Sequence, residues 1–144
     1  MSVPFKPKAY HTITPYLVVE DADILVVFLQ AAFDATQTEC VKNNEGTTTH
    51  TEVKIGDSVI MIGSKPGSSH SHTKLYLYVQ DTTTTYQKAI DAGATSIMKP
   101  TTQFYGDINA GVTDPAGNEW WIATHIEDVS PEEIEKRAAA FYAS

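Results

Sequence analysis

Two stretches of the chain carry the same order of elements, and this repetition constrains the fold more than any other property of the sequence. In the first stretch, Ile13 to Val19 reads as a buried strand closed by Glu20-Asp21. Ala22 to Phe33 follows as a helix whose Ile24, Leu25, Phe28, Leu29 and Ala32 share one face. Thr36 to Lys42, Thr47 to Ile55 and Ser58 to Ile62 read as strands, the last two joined by the turn Gly56-Asp57. In the second stretch, Leu75 to Val79 is a strand, Thr83 to Ala92 a helix stopped by Gly93, and Ser96 to Lys99 a short strand ended by Pro100. Ala110 to Thr113 and Glu119 to Thr124 then form a hairpin around Asp114-Pro115-Ala116-Gly117-Asn118. Val19-Glu20-Asp21 answers Val79-Gln80-Asp81, and Phe28-Leu29-Gln30-Ala31 answers Tyr86-Gln87-Lys88-Ala89. One such unit cannot bury both its sheet face and its helix, so the two must pair. The expected class is α+β: paired βαβββ modules forming a cupped mixed sheet, plus a C-terminal helix. The modules span about 12–63 and 73–125 of a single domain, residues 1–128. The helix occupies 129–144, with Ser130 as N-cap, Pro131 at its first position and Glu133 completing a capping box.

Charge and cysteine usage narrow the partners. The formal net charge is -8, and the single arginine, Arg137, lies near the C-terminus. Nucleic acids and anionic membranes are bound by clustered cations, which this sequence lacks. One cysteine, Cys40, excludes an internal disulfide framework and any Cys-rich zinc site. The longest apolar run, Ile24 to Leu29, falls far short of the ~20 residues of a membrane span. The start Met1-Ser-Val-Pro-Phe-Lys has no apolar signal core, so a cytoplasmic location is expected.

Three segments carry a family resemblance: Pro15-Tyr16-Leu17-Val18-Val19-Glu20-Asp21, His50-Thr51-Glu52-Val53-Lys54-Ile55-Gly56-Asp57, and Tyr105-Gly106-Asp107 through Asp114-Pro115-Ala116-Gly117-Asn118-Glu119-Trp120-Trp121-Ile122-Ala123-Thr124-His125. With the paired modules, the chain resembles the vicinal oxygen chelate superfamily of glyoxalases, bleomycin-resistance proteins and dioxygenases, in its PhnB-like branch. The resemblance implies a divalent ion held by His, Gln or Glu on four strands. Aligned on Val-x-Asp and on the DPxGN turn, those positions hold Thr14, Met61, Lys74 and Trp121. A cation, an indole and a thioether do not make a hard-metal site, so no cofactor is expected there. The resemblance also implies a homodimer whose cavities draw strands from both chains. Many relatives carry an arginine after the aspartate matching Asp107; Ile108 stands there instead, which removes an anion-binding group.

Strand alternation describes what fills the cup. Thr14, Tyr16 and Val18 share one face and Ile13, Leu17 and Val19 the other; Lys74, Tyr76 and Tyr78 likewise oppose Leu75, Leu77 and Val79. The aliphatic sets belong against the helices. The expected ligand-binding set is Thr14, Tyr16, Met61, Lys74, Tyr76, Trp121 and His125, an aromatic cavity suited to a small aromatic or cationic organic molecule. His50 and Glu52 read as an exposed strand pair. His70-Ser71-His72 reads as linker, since two imidazoles need a third ligand to hold a metal usefully. Two functions of different class follow: a non-metal binding protein, or a divalent-metal-dependent lyase, isomerase or dioxygenase recruiting His50, Glu52 and His125.

Overall fold

The structure, a computed structural model, describes residues 3–67 and 72–143. The first module comprises β1 (Tyr16–Val19), α1 (Ala22–Phe33), β2 (Thr36–Lys42), β3 (Thr48–Ile55) and β4 (Ser58–Ser64). The second comprises β5 (Lys74–Tyr78), α2 (Thr82–Asp91), β6 (Thr95–Thr102), β7 (Asp107–Thr113) and β8 (Glu119–His125), and α3 (Pro131–Tyr142) closes the chain. Each module forms one mixed four-stranded sheet, ordered β1-β4-β3-β2 and β5-β8-β7-β6, with the first strand parallel to the fourth. No helix among the described residues is long and apolar enough to cross a membrane.

The repeated Val-x-Asp has a local cause. Asp21 and Asp81 are the N-caps of α1 and α2, accepting from the amides of Asp23 and Thr84. The next free amide, of Ala22 or Thr82, is taken by a hydroxyl at the end of the module's last strand, Ser64 at 2.8 Å or Thr124 at 3.0 Å. Strand, cap and helix start are thereby locked together identically in both halves. This register pairs the buried Val26 and Leu29 of α1 with the buried Tyr86 and Ala89 of α2, so the helix correspondence read from sequence is shifted by half a turn.

Four strand limits differ by two residues or more from the sequence reading. β1 begins at Tyr16; Ile13 is 85% exposed instead of packed on α1, and Thr14 lies outside the strand, its hydroxyl donating to the His11 carbonyl. β4 continues to Ser64, two residues beyond the expected end at Ile62. β6 runs through Pro100, which an edge strand tolerates because the missing N–H faces no partner; its register slips between Met98 and Thr101. β7 begins at Asp107, which places that residue on a strand and not in a loop.

The modules meet helix to helix through α1 and α2. Phe33 at the end of α1 packs on Trp120 of β8 with ring centroids 5.0 Å apart, and Lys88 of α2 bridges to Asp34 at 2.9 Å. Trp120 is fully buried, and its indole N–H donates to Asp114 at 2.7 Å. Among the described residues the eight strands thus form two four-stranded mixed sheets, one per module, as the paired βαβββ modules read from the sequence require.

Candidate functional site

Alternation sorts the side chains as expected over most of each sheet. Leu17 and Val19 pack against the first helix while Tyr16 stands 58% exposed on the opposite face. Across that face the register aligns Tyr16, Met61, Glu52 and Glu39, with His50 beside Gly63 in the next row. On the second sheet Leu75 and Leu77 pack against the core and Tyr76 and Tyr78 stand opposite, their rings 5.2 Å apart. Tyr76 aligns with Trp121 and Gly111. The Trp121 ring lies so flat over Gly111 that a Cβ there would come within 2.7 Å of it.

At the end of this aromatic face stands a hydrogen-bonded network. The Tyr76 hydroxyl donates to Asp107 Oδ2 at 2.7 Å and accepts from Asn109 Nδ2 at 3.1 Å. Asn109 also donates to the Tyr105 hydroxyl at 2.7 Å and accepts from Gln103 at 3.0 Å. The second Asp107 oxygen lies 2.8 Å from His125 Nδ1, and His125 Nε2 lies 2.7 Å from Asp128. With a carboxylate at each ring nitrogen, the bond to Asp107 first and that to Asp128 second, His125 is held above its ordinary 6.5 and favours the imidazolium. Burial, together with the hydrogen bond to Asp107, pushes the Tyr76 phenol up, so its proton stays in place. Asp107 and Asn109 are 5% and 2% exposed, so the network is rigid at its base and open at the His125 edge.

The expected site residues do not gather in one cavity. Tyr16 and Met61 lie on the first sheet; Lys74, Tyr76, Trp121 and His125 lie on the second; Thr14 belongs to neither. A cleft of about 780 Å³ opens between the modules, lined by the β3–β4 hairpin, β5, the end of α1 and the start of α2. Among the described residues Tyr76 is the one member of the expected set that lines it, joined by Tyr78, Leu77, Val59, Phe33 and Trp120. Tyr76 therefore belongs both to the strand that borders the cleft and, through its hydroxyl, to the polar network. Asp107 and Asn109 were missed as site residues, although the alternation Asp107-Ile108-Asn109-Ala110 places two polar groups on one strand face.

The four strand positions at which relatives grip an ion do not suit one. Lys74 reaches toward Glu119 at 3.9 Å, Met61 and Trp121 offer a thioether and an indole, and the Thr14 hydroxyl is spent on a backbone carbonyl. His50 and Glu52 are not the exposed pair expected. Glu52 is 4% exposed, bonded to His50 Nε2 at 2.8 Å and to the Tyr10 hydroxyl, which the N-terminal arm lays across the sheet. His125 sits on the other sheet and does not join them. His70 and Ser71 of the His-x-His motif lie outside the described residues.

The model of the Glyoxalase/Bleomycin resistance protein/Dioxygenase superfamily matches residues 9–122. An uncharacterised protein of Mycobacterium bovis is 30% identical over 135 residues, covering 85% of this chain and 89% of its own. Among solved structures, TioX from Micromonospora sp. ML1 superposes with a TM-score of 0.69 at 20% identity, over 81% of this chain and 99% of that one. The fosfomycin resistance protein FosX from Listeria monocytogenes gives 0.67 at 13% identity, over 86% and 97%. A gene product of Arabidopsis thaliana gives 0.64 at 25% identity, over 78% and 98%.

Proposed function

The chain belongs to the glyoxalase, bleomycin resistance and dioxygenase superfamily, and from that premise we propose that it binds a small aromatic or cationic organic molecule on the sheet of its second module, with no ion at the four positions relatives use. The observation that carries this reading is Tyr76. It stands on the β5 edge of the second sheet, where β5 borders the inter-module cleft, with the Tyr78 ring 5.2 Å away and its hydroxyl fixed by Asp107 and Asn109. Aromatic faces hold a flat ligand by stacking, and their electron-rich π faces favour a cation over an anion. The chain's net charge of -8 steers the same class of molecule toward it. FosX and other neighbours share the fold, which alone does not fix a substrate.

The half-exposed tyrosines on β1 and β5, each an edge strand of its sheet, support a homodimer in which a second copy covers these faces. Residues Tyr16 and Met61 of one copy would then oppose Tyr76, Trp121 and His125 of the other. The test is a calorimetric titration of chelator-treated protein with tryptamine and with indole-3-acetate, an aromatic cation and its anionic counterpart. The expected result is saturable binding of tryptamine, weaker for indole-3-acetate and lost in Tyr76→Ala. Binding that requires added divalent metal, or that survives in Tyr76→Ala, would overturn the reading.

A further inference from the structure

The first sheet holds a cluster that the ligand reading leaves unused. One ligand atom from each of Glu39, His50 and Glu52 lies within 4.8 Å of the others. Their convergence depends on an irregularity of the sheet. The register of β2 against β3 slips between Gln37 and Glu39, and this sets Glu39 directly across from Glu52. A bulge of this kind re-aims a side chain, and here it brings two carboxylates into a cross-strand position where like charges cost stability. His50, two residues along β3, adds an imidazole on the same face, its Nε2 2.8 Å from Glu52 Oε2. Beside it Gly63 contributes no side chain, and the Tyr16 ring lies over it, its hydroxyl 3.0 Å from where a Cβ would stand. The N-terminal arm covers the cluster, the Tyr10 hydroxyl donating to Glu52 Oε1. Within the arm Lys6 Nζ donates to the Tyr10 carbonyl at 2.6 Å, and His11 fastens the arm to the body through the Asp57 carbonyl at 2.8 Å.

We propose that Glu39, His50 and Glu52, on β2 and β3, form a divalent-metal site with Tyr10 as its cap. Two carboxylates and one imidazole select a borderline ion such as Zn²⁺, Mn²⁺, Fe²⁺ or Co²⁺ over Ca²⁺, which takes an all-oxygen shell, and over soft ions that need thiolates. Three protein ligands leave at least one position for water or for a donor atom of another molecule. A cation between Glu39 and Glu52 removes the repulsion that the bulge creates. It also ties the edge strand β2, exposed along its whole length, to the body of the sheet.

The site is independent of ligand binding at Tyr76, because it lies on the other module and that titration is run in chelator. The experiment is calorimetric titration of chelator-stripped full-length protein with ZnCl₂ and MnCl₂, together with the visible spectrum of the CoCl₂ complex. The expected result is one equivalent bound, with d–d bands of a Co²⁺ ion held by nitrogen and oxygen. Affinity should fall by at least about tenfold in His50→Ala and in Glu39→Gln, both at exposed or half-exposed positions that leave the fold intact. Tyr10→Phe, which frees a Glu52 oxygen, should bind at least as tightly as the parent. No binding at millimolar metal, or equal binding by the His50→Ala/Glu39→Gln double variant, would overturn the proposal. The first of these results would mean that the two carboxylates share a proton.

Discussion

At His125, two carboxylates compete for one imidazole, and the charge state of that ring sets the pH behaviour of the network. A histidine whose pKa is raised by folding adds stability that is present in full below its unfolded pKa and fades as pH rises through the folded value. For His125 the loss therefore falls above 6.5. The stability difference between parent and His125→Gln should be largest in mildly acidic buffer and shrink toward alkaline pH, as followed by thermal melts. Asp107→Asn should lower the His125 titration midpoint seen by NMR, since the larger of its two partners is weakened; an unmoved midpoint would show that Asp128 alone sets it. Gly111→Ala drives a Cβ into the Trp121 ring and should cost about 1–3 kcal/mol, with a changed tryptophan emission. Tyr76, Trp121 and His125 could be singled out from the sequence because strand parity separates them from Leu75, Leu77 and Trp120. Asp107 could not, because its partners Tyr76 and His125 come from other strands, and only the register between strands brings them together.

At the scale of elements, caps and turns were readable where the signal is local. Ser130, Pro131 and Glu133 start α3 as expected, with the Glu133 amide donating to the Ser130 hydroxyl at 3.2 Å. What the local signal misses is how α3 is held, since the helix buries none of its side chains. Arg137 forks onto Glu127 at 2.9 and 3.0 Å and donates to the Phe104 carbonyl, while Phe141 stacks against Phe104 at 5.3 Å. Arg137→Ala should therefore speed amide exchange in α3 while leaving the melting temperature of the body nearly unchanged. A large drop in that temperature would mean that α3 is integral to the core. Two of the shifted strand limits share a cause. Pro15 precedes and Pro100 lies in an edge strand, where unpaired backbone tolerates a proline that a central strand would not. Likewise Glu52 appeared exposed because the residue that covers it, Tyr10, lies 42 positions earlier in the chain.

At the scale of the molecule, the repeat correctly implied two modules but not the side by which they join. That choice is made by α1 against α2 and by Phe33 against Trp120, contacts between residues with no periodic signature of their own. Trp120→Ala removes the largest fully buried side chain and should cost about 3–5 kcal/mol, measured by denaturant unfolding. Light scattering should give twice the 15.8 kDa chain mass if a second copy covers the open sheet faces. The most direct test of ligand binding on the second module is heteronuclear NMR of chelator-treated protein titrated with tryptamine. Saturable shift changes should centre on Tyr76, Tyr78, Trp121, Asp107 and His125. Shifts confined to the first module, or appearing only after a divalent ion is restored, would contradict it.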